Sequence, residues 1–113
     1  MKFLKKTKEK PKNLKDILER LEKLEEVYKK NSYDLSKSLQ KVGLVRFNPF
    51  KETGGDQSFS VAALDADNNG FVITSHYGRE SNRVYAKPIG NGKSSYQLSK
   101  EEQSAVNKAM TSN

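Results

Sequence analysis

The sequence predicts an α+β protein: a long N-terminal helix, a small antiparallel sheet of about four strands, and a short C-terminal helix. Three observations predict it. Apolar residues recur at helical spacing from Leu14 to Val42. Beyond Gly43 the apolar period drops to two, in short runs separated by Gly, Asn and Asp turn signals. Near the C-terminus Ser99 is followed three residues later by Glu102, the spacing of a capping box.

The long helix is predicted over 14–42. Asn13 is its N-cap and Asp16 complements the first turn. Stepping alternately by four and three from Ile17 reads Ile17, Leu21, Leu24, Tyr28, Asn31, Leu35, Ser38 and Val42, an apolar seam of the coiled-coil type. Glu19–Lys23, Glu25–Lys29 and Glu26–Lys30 place Glu four residues before Lys, the stabilising order on a helix surface. Asn31-Ser32 is the weak point, where the helix breaks or where Asn31 sets a dimer register. Gly43 is the predicted stop.

Four strands follow. Val45 and Phe47 alternate with Arg46 and Asn48 up to Pro49, and Thr53-Gly54-Gly55-Asp56 is a turn. Ser58–Leu64 and Gly70–Tyr77 form a hairpin across Asp65-Ala66-Asp67-Asn68-Asn69, with Gly70 expected to supply a positive φ. Arg83–Ile89 is the last strand, with Arg83, Tyr85 and Lys87 on one face and Val84 and Ala86 on the other. The capping box starts a helix over 100–110. The chain thus divides into a basic flexible tail (1–12), a coiled-coil-type helix (13–42) and a compact α+β domain (43–113).

Composition narrows the function classes. Of the 113 residues, 34% are hydrophobic and 31% charged, which suits a small core beside a solvated segment. Cysteine is absent, so disulfides, thiolate nucleophiles and Cys-based metal centres are excluded and a reducing cytoplasm is the expected location. No apolar run approaches the roughly 20 residues of a membrane span, and Met-Lys-Phe-Leu-Lys-Lys lacks the apolar stretch of a signal peptide. The net charge of +7 is uneven: residues 1–12 hold six Lys against one Glu, while residues 42–113 hold 8 Lys/Arg against 7 Asp/Glu. A tail of that kind attracts phosphate on nucleic acid or anionic lipid, or simply solubilises a terminus.

Four constellations carry possible chemistry. His76 is the sole histidine, and neither a nucleophile elbow nor an oxyanion motif accompanies it. Asp65-Ala66-Asp67-Asn68-Asn69-Gly70 has the first six positions of a calcium loop, yet the twelfth position is His76 where a bidentate Glu is needed. A hairpin turn accounts for the same residues. Thr53-Gly54-Gly55-Asp56 lacks the Lys-Ser/Thr of a phosphate loop and reads as a tight turn. The remaining cluster is His76, Arg79, Arg83, Tyr85 and Lys87, with Tyr77 and Glu80 between them. Arg and Tyr on one strand face suit a phosphate, a carboxylate or a stacked base; equally, they suit a solvated face with Arg paired to Glu80.

From Val42 to Val106 the chain resembles a family of bacterial proteins that share a domain of unknown function. The resemblance rests on Val42-Gly43-Leu44-Val45-Arg46-Phe47-Asn48, Gly54-Gly55-Asp56, Ser58-Phe59-Ser60, Ala63-Leu64-Asp65, Asn69-Gly70, Tyr77-Gly78-Arg79-Glu80, Arg83-Val84-Tyr85-Ala86-Lys87-Pro88 and Leu98-Ser99 with Glu101-Glu102. It implies a coiled-coil helix joined to this domain, often behind a membrane-spanning helix, for which the short polar N-terminus here offers no counterpart. It implies no reaction, cofactor or catalytic residue.

The resulting expectation is a non-enzymatic interaction module without cofactor or metal. It would self-associate or dock on a partner through the 14–42 helix and bind a ligand or protein through Arg79, Arg83, Tyr85, Lys87 and His76. The alternative is nucleic-acid binding through the basic tail and Arg79, Arg83, Tyr85 and Lys87. The absence of a Pro/Ser-rich linker after Val42 further predicts that Leu35, Leu39 and Val42 pack on Val45, Phe47 and Phe59.

Overall fold

The structure, a computed structural model, describes residues 9–48, 57–78 and 80–112. The 1–8 part of the basic tail, the Thr53-Gly54-Gly55-Asp56 turn and Arg79 lie outside the described residues. The chain forms two compact units, Met1–Leu35 and Ser36–Asn113.

The first unit is helix α1, Leu14–Ser36. Its N-terminus is closed reciprocally: the Asp16 N–H donates to Asn13 Oδ1 at 2.8 Å, and the Lys12 N–H donates to the Asp16 carboxylate at 3.0 Å. Arg20 returns to Asp16 at 3.5 Å and also donates to the Glu9 carbonyl. The helix runs unbroken through Asn31-Ser32. It has no buried residue, and Leu14, Ile17, Leu18, Leu21, Leu24 and Tyr28 form an exposed apolar stripe.

The helix ends at Ser36, not at Val42. The Ser36 carbonyl accepts the Ala66 N–H (3.1 Å), the Gln40 N–H donates to the Leu64 carbonyl (2.9 Å), and Lys37 pairs with Asp67 (3.4 Å). These contacts turn the chain into a strand that begins at Lys41, within the segment expected to be helical. Val42 is therefore a strand residue, and Leu39 and Val42 are exposed instead of packed on Val45, Phe47 and Phe59.

The second unit is a four-stranded antiparallel meander, β1 (Lys41–Phe47), β2 (Ser58–Leu64), β3 (Gly70–Tyr77) and β4 (Asn82–Ile89), in spatial order β1-β2-β3-β4, followed by helix α2 (Lys100–Thr111). The predicted strands and C-terminal helix are present. The β2–β3 turn is held by Asp65, whose carboxylate accepts the N–H groups of Asp67 (2.8 Å) and Asn69 (3.0 Å). Asn68, at φ 64°, is the left-handed residue, not Gly70. Gly70 is needed for space, since a Cβ there would stand 1.9 Å from the Ala63 carbonyl oxygen.

Cross-strand register defines the two faces. Lys41, Leu64, Gly70 and Ile89 form one row of the inner face. Gly43, Ala62, Val72 and Lys87 form the next, and then Val45, Ser60, Thr74 and Tyr85. Helix α2 lies on this face, with Ala105, Val106 and Ala109 packed against Ala62, Leu64, Val72 and Ile89. Gly43 lets the helix approach β1: a Cβ there would be 2.2 Å from the Ala105 carbonyl oxygen and 2.5 Å from the Ala109 nitrogen. Its role is close packing, not ending α1.

The outer face is unlike the solvated side of an ordinary meander. Its rows are Val42, Ala63, Phe71, Pro88; Leu44, Val61, Ile73, Ala86; and Arg46, Phe59, Ser75, Val84. Ten of these twelve residues are apolar. Val42, Leu44 and Val84 are exposed, and Phe59, Val61, Phe71 and Ile73 are half-buried. By contrast, Ser58, Ser60 and Thr74 are buried on the inner face.

Candidate functional site: a cleft over a buried Lys–Glu pair

Those inward polar residues meet a carboxylate. Residues 102, 105, 106 and 109 form the buried stripe of α2, so the capping-box glutamate is carried onto the sheet, and Glu102 is only 1% exposed. Its Oε1 accepts the Ser99 N–H (2.8 Å) and Lys87 Nζ (2.7 Å), and its Oε2 accepts the Thr74 hydroxyl (2.8 Å). Because Thr74 donates its only hydroxyl proton to Glu102, Ser60 donates to Thr74, at 2.7 Å. Lys87 also donates to the Gln97 carbonyl at 2.8 Å. Among the described residues no buried side-chain nitrogen or oxygen lacks a partner.

Burial opposes the charge on Glu102. The Lys87 hydrogen bond, the Ser99 N–H, the Thr74 hydroxyl and the Lys87 charge outweigh it, and the carboxyl titrates below its ordinary value. Glu102 is therefore an anion at neutral pH that anchors α2 to β3 and β4, which suits a structural counter-ion and not a proton donor.

Above this pair opens a cleft of about 300 Å³ lined by Phe47, Thr74, His76, Tyr85, Lys87, Ser99, Glu101 and Glu102. β1 supplies Phe47, whose ring meets the His76 ring edge-on at 5.7 Å between centroids and 72° between planes. β4 supplies Tyr85 and Lys87. The cleft thus offers two aromatic walls, an imidazole edge, and a floor of hydroxyl, ammonium and carboxylate. Such a lining accepts a small planar or apolar group that also makes hydrogen bonds.

Of the five residues singled out in the sequence, the cleft brings together His76, Tyr85 and Lys87. Arg83 pairs with His76 in the β3–β4 register and shares its face, so it stands at the rim. It makes no ion pair among the described residues, whereas the sequence allowed a pairing with Glu80. Lys87 lines the cleft with its ammonium on Glu102 and the Gln97 carbonyl, partners the sequence did not indicate. Phe47, Thr74, Glu101 and Glu102 were not singled out as site residues. The signal for Glu102 was present, since a helix with its apolar face at 105, 106 and 109 puts 102 on that same face. A buried carboxylate there requires a cation, and Lys87 is the alternating inward residue of β4.

The calcium-loop reading finds its groups otherwise engaged. Asp65 holds two backbone N–H groups, Asp67 pairs with Lys37, Asn68 Oδ1 accepts Lys41 Nζ, and Asn69 Oδ1 accepts the Asn91 N–H. Among the described residues no group of three or more His, Asp or Glu could hold a metal ion. Likewise, no helix among them is long and apolar enough to cross a membrane.

The chain belongs to the family described as Protein of unknown function (DUF4446), which it matches over residues 2–110. No curated protein and no solved structure matches it.

Proposed function

With membership of that family as the premise, we propose that the chain is an association and binding module: α1 joins a second copy, and the cleft beside Glu102 receives a small ligand group. One observation carries the association. A 23-residue helix with seven large apolar residues on one stripe, Leu35 among them, buries none of them. An isolated helix gains most of its stability from packing such a stripe, so α1 is built for a partner. The cleft supports the binding half, because His76, Tyr85 and Arg83 share one face above an internally neutralised floor.

Sedimentation of the full chain tests this. A dimer is expected at micromolar concentration. Leu21→Glu, at an exposed position, should return it to monomer with the melting temperature of the sheet unit retained. A wild-type chain that is monomeric at every concentration reached would refute the association.

A further inference from the structure

We propose that the acceptor of α1 is the outer face of the sheet in a second copy, two chains exchanging their helices reciprocally. The inference rests on the association reading above and names the surface that receives the helix.

The shape of the stripe comes first. At about 100° per residue, Leu14, Ile17, Leu18, Leu21, Leu24, Tyr28 and Leu35 of α1 spread over about 120°. That is wider than the two-position seam of a two-stranded coiled coil and suits a flat receiving surface. The outer sheet face is such a surface. Its strands turn Phe59, Val61, Phe71 and Ile73 outward while turning Ser58, Ser60 and Thr74 inward. A meander that faced water on this side would carry the reverse pattern.

Area then separates the possible arrangements. A 23-residue helix is about 35 Å long and about 10 Å across, a footprint of roughly 350 Å². Four strands about 4.8 Å apart, with some seven residues each at about 3.3 Å, give a face of roughly 440 Å². One face therefore holds one helix. Seated along the about 23–30 Å that the face offers, two reciprocal helix-on-sheet contacts cover, counting both surfaces, roughly 900–1,200 Å², reaching the lower edge of the 1,200–2,000 Å² of stable interfaces. A single helix–helix or sheet–sheet contact covers roughly 700–900 Å², near the size of crystal packing.

The connection favours exchange. Only Lys37–Gln40 lies between α1 and β1, and its ends are tied to the β2–β3 hairpin through Ser36–Ala66 and Gln40–Leu64. Short connections between two complementary surfaces promote swapping between copies, and a two-fold exchange closes on itself without leaving either surface open.

The test compares full-length Val84→Glu, Leu44→Glu and Leu21→Glu by sedimentation equilibrium, with thermal melting to verify folding. Val84 and Leu44 are exposed, so the sheet should tolerate both changes. All three variants should weaken dimerisation by about tenfold or more, since each buries an unpaired carboxylate at an apolar contact. Mixing Leu21→Glu with Val84→Glu should restore part of the dimer, because one intact helix then meets one intact sheet. A spin label on Leu24→Cys should broaden Val61 and Ile73 resonances of an isotope-labelled second copy. Should Val84→Glu and Leu44→Glu dimerise like wild type while Leu21→Glu does not, the helices pair with each other; that overturns this inference and leaves the association standing. A wild-type monomer overturns both, and a dimer sensitive only to the sheet variants overturns both in favour of sheet-on-sheet packing.

Discussion

Glu102→Ala is the substitution whose cost is most directly worked from the structure. It removes the acceptor of three hydrogen bonds: from the Ser99 N–H, from Lys87 Nζ and from the Thr74 hydroxyl. Thr74 retains Ser60 and Lys87 retains the Gln97 carbonyl, so the Ser99 N–H and the unneutralised ammonium bear the loss. Breaking one side of a buried ion pair costs about 3–5 kcal/mol, and a helix cap about 1 kcal/mol. The Lys87 side chain is 23% exposed, which lets water take part of its charge and places the total at the lower end, about 3 kcal/mol. For a domain of this size that lowers the melting temperature by roughly 12–24 °C. Glu102→Gln keeps an acceptor on Lys87 and Ser99 and should cost about half as much. Urea denaturation followed by circular dichroism measures all of these, and Lys87→Met combined with Glu102→Ala should cost clearly less than the two singly. Acid supplies an independent arm. Glu102 binds its proton more weakly folded than unfolded, so its contribution is complete above its ordinary value of 4.5 and lost as pH falls through the lower folded value. Asp65, lowered by the N–H groups of Asn69 and Asp67 and by Lys37 and Lys41, adds in the same direction. Wild type should be level from pH 7 to about 5 and weaken below, with a shallower fall in Glu102→Gln. If Glu102→Ala stays within about 1 kcal/mol of wild type, or the double variant is additive, the carboxylate is not the anchor of α2 described here.

Other outcomes follow from single positions. Gly43→Ala, whose new methyl would overlap the Ala105 carbonyl, should cost about 1–3 kcal/mol in the same assay, while Gly90→Ala, with open space around it, should stay within about 0.5 kcal/mol. Benzoate and inorganic phosphate, titrated against the chain and followed at the His76 ring by NMR, should bind at roughly millimolar Kd, with Tyr85→Ala weakening benzoate and Arg83→Ala weakening both. If the alternative of nucleic-acid binding holds instead, duplex affinity must fall steeply between about 50 and 200 mM salt; because Lys87 is committed to Glu102, Lys87→Met should leave that slope unchanged.

Local patterns carried much of the fold. Period-two runs bounded by turn residues located β2 and β3, and the Ser99–Glu102 spacing located α2, because hydrogen bonds within a few residues decide those features. What depended on distant partners was misread. Gly43 has the position of a helix stop by sequence, yet its role comes from Ala105 and Ala109 far along the chain. Leu39 and Val42 continue the helical spacing, but the tie of Gln40 to Leu64 overrides it. Of the site, the alternation of β4 put Arg83, Tyr85 and Lys87 on one side, as the register has them; that His76 stands across from Arg83 is set by the β3–β4 pairing, which alternation does not give. It could not say that Lys87 meets a carboxylate 15 residues on. Nor can alternation say which strand face is covered: Ser58 and Ser60 look like the solvent side and are buried.

That α2 follows every strand in the chain has a consequence for synthesis. Every strand of the meander pairs with the one before it, so the sheet can assemble progressively as it leaves the ribosome. Its inner face is different: Ala62, Leu64 and Val72 wait for Ala105, Val106 and Ala109, which emerge after all four strands and must close a long loop back to β1. Until α2 emerges, the nascent sheet has apolar surface on its inner face. A truncation just before Lys100 would make that interval permanent, leaving the inner face uncovered and a sheet with a strong tendency to be held by chaperones or to aggregate.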